Sequence, residues 1–192
     1  MEDYFHDKII ESQEVFEKIS KDRELINSLI KITQICCGSI EKGGKIIFAG
    51  NGGSAADAQH FAAELMIRFE KERNSIASIA LNSDSSLITA CANDFGYDEI
   101  FKRQLEGLAR KNDVFIAIST SGKSQNIVKA LEFTQKNEIL SILFTGANQS
   151  NVEKNCDYVI KVPSKNTARI QEGHTLIGHI LCGMIEKNLQ LK

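Results

Sequence analysis

His60 and Glu64 stand four residues apart at the end of Gly43–Glu64, GGKIIFAGNGGSAADAQHFAAE. In a helix that spacing is about one turn, so an imidazole and a carboxylate leave the same face. Glu64 acting with a histidine across a pocket could move a proton between two carbons of a sugar. The base removes the proton while an acid manages the neighbouring oxygens. Ahead of this pair a short apolar run ends in Gly50, Gly52 and Gly53, which allow positive φ and close backbone approach. Ser54 stands where an N-cap belongs, so the first helical turn offers an anion its free N–H groups, a hydroxyl and the positive end of the helix dipole.

A second stretch repeats this logic. Val114–Ile118 leads directly into Ser119, Thr120, Ser121, Gly122, Lys123 and Ser124, four hydroxyls in six residues. Such a loop binds phosphate through neutral donors and glycine-exposed N–H groups, with no need of a Lys or Arg clamp. It does not match GxxxxGK[ST], which disfavours a nucleoside triphosphate, and GNGGSA does not follow the GxGxxG dinucleotide spacing. A phosphorylated small molecule fits better. Asn93 and Asp94 are turn formers by default, with ligand contact as the competing reading. Gln171 and His179, eight residues apart on the last segment, would lie about 80° apart around a helix and ~12 Å along it. His174, between them, reads as structural.

These residues must be carried by elements that the rest of the sequence lays out. The 192 residues are 42% hydrophobic, enough for a substantial core, and the length fits one domain. A net charge of -2 and a pI near 6.1 give no basic footprint for nucleic acid, and no stretch is long and apolar enough to span a bilayer. The charged start MEDYFHDKIIESQEVF does not read as a signal peptide. Five cysteines without CxxC spacing read as reduced thiols, which points to a cytoplasmic protein.

Residues 1–42 place apolar side chains at helical intervals, broken near Ser20–Asp22, which predicts two helices or one bent helix with apolar surface left for packing and assembly. Over 43–192, strands are expected at Lys45–Ala49, Ser75–Leu81, Val114–Ile118, Leu140–Thr145 and Tyr158–Val162. Helical sequence separates them: the helix opened by Ser54, a short one at Leu87–Ala92, one over Asp98–Ala109 after a polar loop at Asn93–Gly96, and one from Ser124 to Lys136. A short helix around Ser150–Lys154 and a long amphipathic segment, Thr167–Lys192, complete the chain, and Arg68–Arg73 (RFEKER) reads as a solvated helix end. The alternation predicts an α/β fold, a doubly wound parallel sheet of five strands. Ligands in such sheets bind beyond the carboxyl ends of the strands at the switch point, where both loops would lie.

AGNGGSAADAQHFAAEL, ANDFGYDEIF, AISTSGKS and TARIQEGHTLIGHILCGMIE, in this order and at these separations, resemble the SIS (sugar isomerase) domain and, within it, the phosphoheptose isomerases. The resemblance covers nearly the whole chain. It implies a single flavodoxin-like SIS domain with an N-terminal helical extension. It also implies conversion of D-sedoheptulose 7-phosphate to D-glycero-D-manno-heptose 7-phosphate through an enediol, the first step toward activated heptose for surface glycans such as lipopolysaccharide or capsule. Asn51, Gly52, Gly53 and Ser54 would then meet the sugar, with Asn93 and Asp94 beside it, and Ser119, Thr120, Ser121 and Ser124 would take the phosphate.

The same resemblance makes Glu64 the general base and His179 the acid, with Gln171 also on the substrate. It suggests a zinc ion held by His60, Glu64, Gln171 and His179, and no nucleotide cofactor. Glutamine is an unusual zinc ligand, and the ~12 Å rise from Gln171 to His179 strains convergence within one chain. Either the helix starts irregularly or subunits share the site, and a homotetramer with interfacial active sites is expected. Ala168, where relatives carry an acidic residue, and Lys123, in place of a more usual Asn, depart from the pattern without removing a catalytic group. The alternative is a non-catalytic SIS protein that binds the bacterial replication initiator; the resemblance separates the two by Glu64 and His179, both present here.

Overall fold

The computed structural model describes residues 1–189, so the end of the segment expected to reach Lys192 lies outside the described residues. Two helices open the chain, α1 (Glu2–Lys21) and α2 (Arg23–Glu41). Asp22 separates them because its carboxylate accepts from Leu25 N at 2.9 Å, a cap that favours a fresh start over one bent helix.

Five strands follow, β1 (Ile46–Gly50), β2 (Ser78–Ala80), β3 (Val114–Ile118), β4 (Leu140–Thr145) and β5 (Tyr158–Lys161), all parallel in the order β2-β1-β3-β4-β5. This is the expected doubly wound sheet. β2 is shorter than Ser75–Leu81 because it is an edge strand, and Ile76 N is drawn away to Leu65 O at 3.1 Å. Alternate strand residues serve two cores. Ile46, Phe48 and Ile116 face α1, α2, α3 (Gly53–Met66) and α7 (Thr167–Asn188), whereas Ile47, Ala49 and Phe115 face α4 (Ser85–Phe95), α5 (Ile100–Leu108) and α6 (Gln125–Lys136).

Three expectations are corrected. Asn93 and Asp94 belong to the last turn of α4, not to a loop: Asp84 caps that helix early by accepting from Leu87 N at 2.9 Å, and Gly96, at φ +94°, stops it late. Ser54 is not the N-cap of α3. Gly52 takes that place with φ +57° and ψ −122°, while Ser54 is buried in the first turn. The run Arg68–Arg73 is not wholly solvated, since the Arg73 side chain is 2% exposed and paired with Glu186 at 2.7 Å.

The contact that positions the site is between α3 and α7. The two helices run parallel and in step: Gln171 packs on Gly53, the Thr175 hydroxyl donates to Asp57 at 2.8 Å, and Phe61 fills the space over Gly178. A Cβ on Gly178 would lie 2.0 Å from the Phe61 ring, so only glycine lets the helices approach this closely.

Candidate active site

β1 and β3 are neighbours, with Gly50 opposite Ile118, so the loops that leave their carboxyl ends start side by side at the switch point. Asn51, Gly52, Gly53 and Ser54 from the first loop and Ser119, Thr120 and Ser124 from the second line one cleft of about 300 Å³, with Thr167 and Gln171 of α7 closing it. The two sequence motifs therefore share one site. Ser119 Oγ accepts from Gly122 N and Ser121 Oγ from Lys123 N, each at 3.2 Å, which shapes the hydroxyl loop. Ser124 is the N-cap of α6 but makes no side-chain cap bond, and Gly52 has no side chain with which to cap α3. Ser54, Ala55 and Ile127 spend their N–H groups on Asn51 O, Gly52 O and Asn126 Oδ1, and those of Gly53, Gln125 and Asn126 are left at one cleft, a suitable cradle for a phosphate and polar sugar oxygens.

Two turns further along α3, His60 and Glu64 meet His179 of α7. His60 Nε2 is 2.9 Å from Glu64 Oε1 and 2.9 Å from His179 Nε2, and the donor atoms of the three residues all lie within 4.8 Å of one another. Glu64 and His179 of one chain therefore stand in the same cluster. Two imidazoles and a carboxylate so placed could hold a metal ion, and such a donor set suits zinc with a fourth position left open. Zinc–ligand distances of about 2.0–2.1 Å separate tetrahedral ligands by roughly 3.3 Å, within a few tenths of an ångström of the two 2.9 Å separations made by His60. Gln171, the fourth expected ligand, sits at the level of Gly53 at the other end of the shared helix face, in the cleft.

Asn93 and Asp94 are exposed at the end of α4 and hydrogen-bond to each other at 2.9 Å; the cleft lining does not include them. Tyr97, three residues beyond Asp94, reaches the cleft instead, its hydroxyl donating to Asn51 Oδ1 at 2.9 Å. The same oxygen accepts from Asn126 Nδ2 at 2.9 Å, and Asn51 Nδ2 donates back to Asn126 Oδ1 at 2.9 Å. This amide pair ties the first loop to α6. Sequence reasoning missed Tyr97 and Asn126, and no spacing signal marks either. Asp57 was also missed, although it lies one turn before His60. Burial pushes its carboxyl up, partly offset by the Thr175 hydroxyl and the two histidines.

With this geometry in hand, comparison with known proteins is decisive. A family model described as the SIS domain matches residues 8–146. The chain is 50% identical over 186 residues to phosphoheptose isomerase 2 of Campylobacter jejuni, covering 97% of this chain and 90% of that one. It is 46% identical over 187 residues to the phosphoheptose isomerase of Aneurinibacillus thermoaerophilus, covering 97% and 94%. The chain belongs to the phosphoheptose isomerase family of SIS-domain proteins. The solved phosphoheptose isomerase of Neisseria gonorrhoeae superposes with a TM-score of 0.90 at 34% identity, covering 97% of this chain and 98% of that one. The family fold extends to α1 and α2, which the superposition spans. Among the described residues no helix is long and apolar enough to cross a membrane.

His174 is structural, as its sequence setting suggested. It is fully buried, its Nε2 lies 3.2 Å from the Thr145 carbonyl oxygen, and burial lowers its pKa to about 4 against a hydrogen bond that raises it. The unfolded chain therefore takes a proton below about pH 6.5 that the native state refuses until about pH 4. Stability is lost as pH falls through that window, by about 3 kcal/mol from this group. Urea unfolding at pH 7 and pH 4.5 is expected to show this loss in the wild type and a smaller one in His174→Gln. Equal losses would mean that His174 protonates freely in the native state.

Proposed function

We propose that the protein is an aldose–ketose isomerase that converts D-sedoheptulose 7-phosphate to D-glycero-D-manno-heptose 7-phosphate. The observation that carries this reading is the convergence of His60, Glu64 and His179, two helical turns along α3 from a cleft built of neutral phosphate donors. Gly53 and His60 are seven residues apart, a rise of about 10 Å. A substrate with its phosphate at one end and its reacting carbons at the other is suited to that separation.

The phosphate rests on Ser119, Thr120, Ser121, Ser124 and the N-terminus of α6, with Asn51, Gly52, Gly53, Ser54 and Gln171 toward the sugar hydroxyls. Glu64 takes a proton from C1 of the ketose while His179 places one on the C2 oxygen, giving the enediol. His179 then withdraws a proton from the C1 oxygen as Glu64 returns one to C2, and the aldose is formed with no net gain or loss of atoms. His60, Glu64 and His179 would hold a zinc ion, which when bound supplies Lewis-acid polarisation of the substrate oxygens.

The reading extends to assembly. His60 is half exposed, and Met66, Ile67 and Ile180, next to the cluster in sequence, are exposed apolar side chains. Tyr4, Phe5, Ile9 and Ile10 of α1 are exposed as well. Apolar surface of this kind around a polar site fits cover by further copies of the chain, and we assign the protein to homotetramers with interfacial active sites. All five cysteines are free, four of them buried, in keeping with a cytoplasmic enzyme. Its product would feed activated heptose synthesis for surface glycans.

Glu64→Gln is expected to lower turnover of sedoheptulose 7-phosphate by roughly 10²–10⁴-fold, the usual worth of a general base. Calorimetry should show that this variant still binds the sugar phosphate; an active variant would place the base elsewhere. Sizing in solution is expected to give a multiple of the 21.3 kDa chain, and a fully active monomer would contradict the assembly.

A further inference from the structure

The segment after α3 folds back over the cluster and is fastened by a buried ion pair. Arg73 and Glu186 are 2% and 1% exposed in their side chains, with Arg73 Nε 2.7 Å from Glu186 Oε1. Glu186 accepts four hydrogen bonds, and Arg73 donates four of its five. Glu186 accepts from the successive backbone N–H groups of Phe69, Glu70 and Lys71 at 3.1, 2.8 and 2.9 Å. Arg73 Nη1 donates to the carbonyls of Leu65 and Asn74 at 2.9 and 3.0 Å, and Nη2 donates to the carbonyl of Glu64 itself at 2.8 Å.

A buried ion pair often fails to repay its desolvation as stability, so one this completely bonded asks what it holds in place. It holds Phe69. The Phe69 ring lies flat on the His179 imidazole, centroids 5.4 Å apart and planes at 10°, and its far edge covers Gly183, one turn further along α7. The Phe61 ring meets His179 edge-on at 6.0 Å and 78°. The imidazole is therefore confined between two phenyl rings, with only its Nε2 edge committed to His60. On the other side of the cluster, the Arg73 bond to the Glu64 carbonyl pins the last turn of α3, from which the Glu64 side chain leaves.

We propose that Phe69, Arg73 and Glu186 are positioning residues: the Glu186–Arg73 pair clamps the Arg68–Asn74 segment so that Phe69 fixes the plane of His179 and Arg73 fixes the backbone of Glu64. The proposal rests on the functional reading above for what the cluster does, but not for how it is held. It assigns a role to a charged run that the isomerase chemistry leaves unused. Fixing a ligand ring before binding removes an ordering cost from metal capture and keeps the acid in line with the base during turnover.

The test is a Phe69 series, because Phe69 is only partly buried and its replacement spares the ion pair. Zinc affinity is read by competition with a chromogenic chelator, and kcat and KM are measured with sedoheptulose 7-phosphate. Phe69→Leu keeps apolar bulk but loses the flat stack, and is expected to weaken zinc binding about tenfold and to lower kcat about tenfold with KM within twofold. Phe69→Tyr, which keeps the stack, should restore both. Thermal unfolding of the two variants should agree within a few degrees, which separates positioning from a folding defect. Zinc affinity and kcat unchanged in Phe69→Leu would overturn the clamp. Wild-type protein that binds zinc without turning over the sugar would reject the isomerase reading while the zinc series still judges the clamp, and turnover without zinc would leave kcat to judge it. Wild-type protein that does neither would overturn both.

Discussion

Phe61 packed into the gap over Gly178 is the contact on which the site depends. It sets how closely α3 and α7 approach, and because the helices run parallel their side chains stay in step for three turns. At the first level Gln171 meets Gly53, at the second Thr175 meets Asp57, and at the third His179 meets His60. The cleft and the His60–Glu64–His179 cluster, to which the proposed reaction assigns the sugar phosphate and the proton transfer, are thus two ends of one helix–helix seam. A larger residue at 178 would separate both ends at once.

The sheet supplies the other constraint. Doubly wound parallel strands in the order β2-β1-β3-β4-β5 leave a crevice between β1 and β3, and both hydroxyl- and glycine-rich loops open there. Of the first-turn N–H groups at the crevice, Ser54 and Ala55 bond the Asn51 and Gly52 carbonyls and Ile127 bonds Asn126 Oδ1, which leaves those of Gly53, Gln125 and Asn126 to face a ligand. The reciprocal amide pair of Asn51 and Asn126 then holds the first loop against the start of α6. In the proposed reading an anion would be held by oriented dipoles and hydroxyls, which suits a substrate that must leave again after each turnover.

How much of this was legible depends on whether the information is local. Strand positions, the order of elements and the two loops follow from period-two and 3.6-residue patterns and from glycine and hydroxyl spacing. The His60–Glu64 pair is a single-turn relationship and reads directly. Its meeting with His179 is 119 residues away in sequence and reads only through resemblance to a family. The exposed look of RFEKER misled because charge run and burial are decoupled when a partner such as Glu186 arrives from another helix. Asn93 and Asp94 were misplaced as a loop because turn propensity yields to capping by Asp84 and termination at Gly96. Tyr97 and Asn126 carry no local mark at all, since their roles exist only across the crevice.

In the proposed reaction one chain supplies both Glu64 and His179, brought together through the α3–α7 seam. Co-expression of Glu64→Gln subunits with His179→Gln subunits, followed by purification of the mixed assemblies and assay with sedoheptulose 7-phosphate, tests it most directly. A pair assembled within each chain predicts no recovery of turnover above the two parent variants. Recovery toward a quarter of wild-type activity per subunit would instead show that Glu64 and His179 of different chains work together.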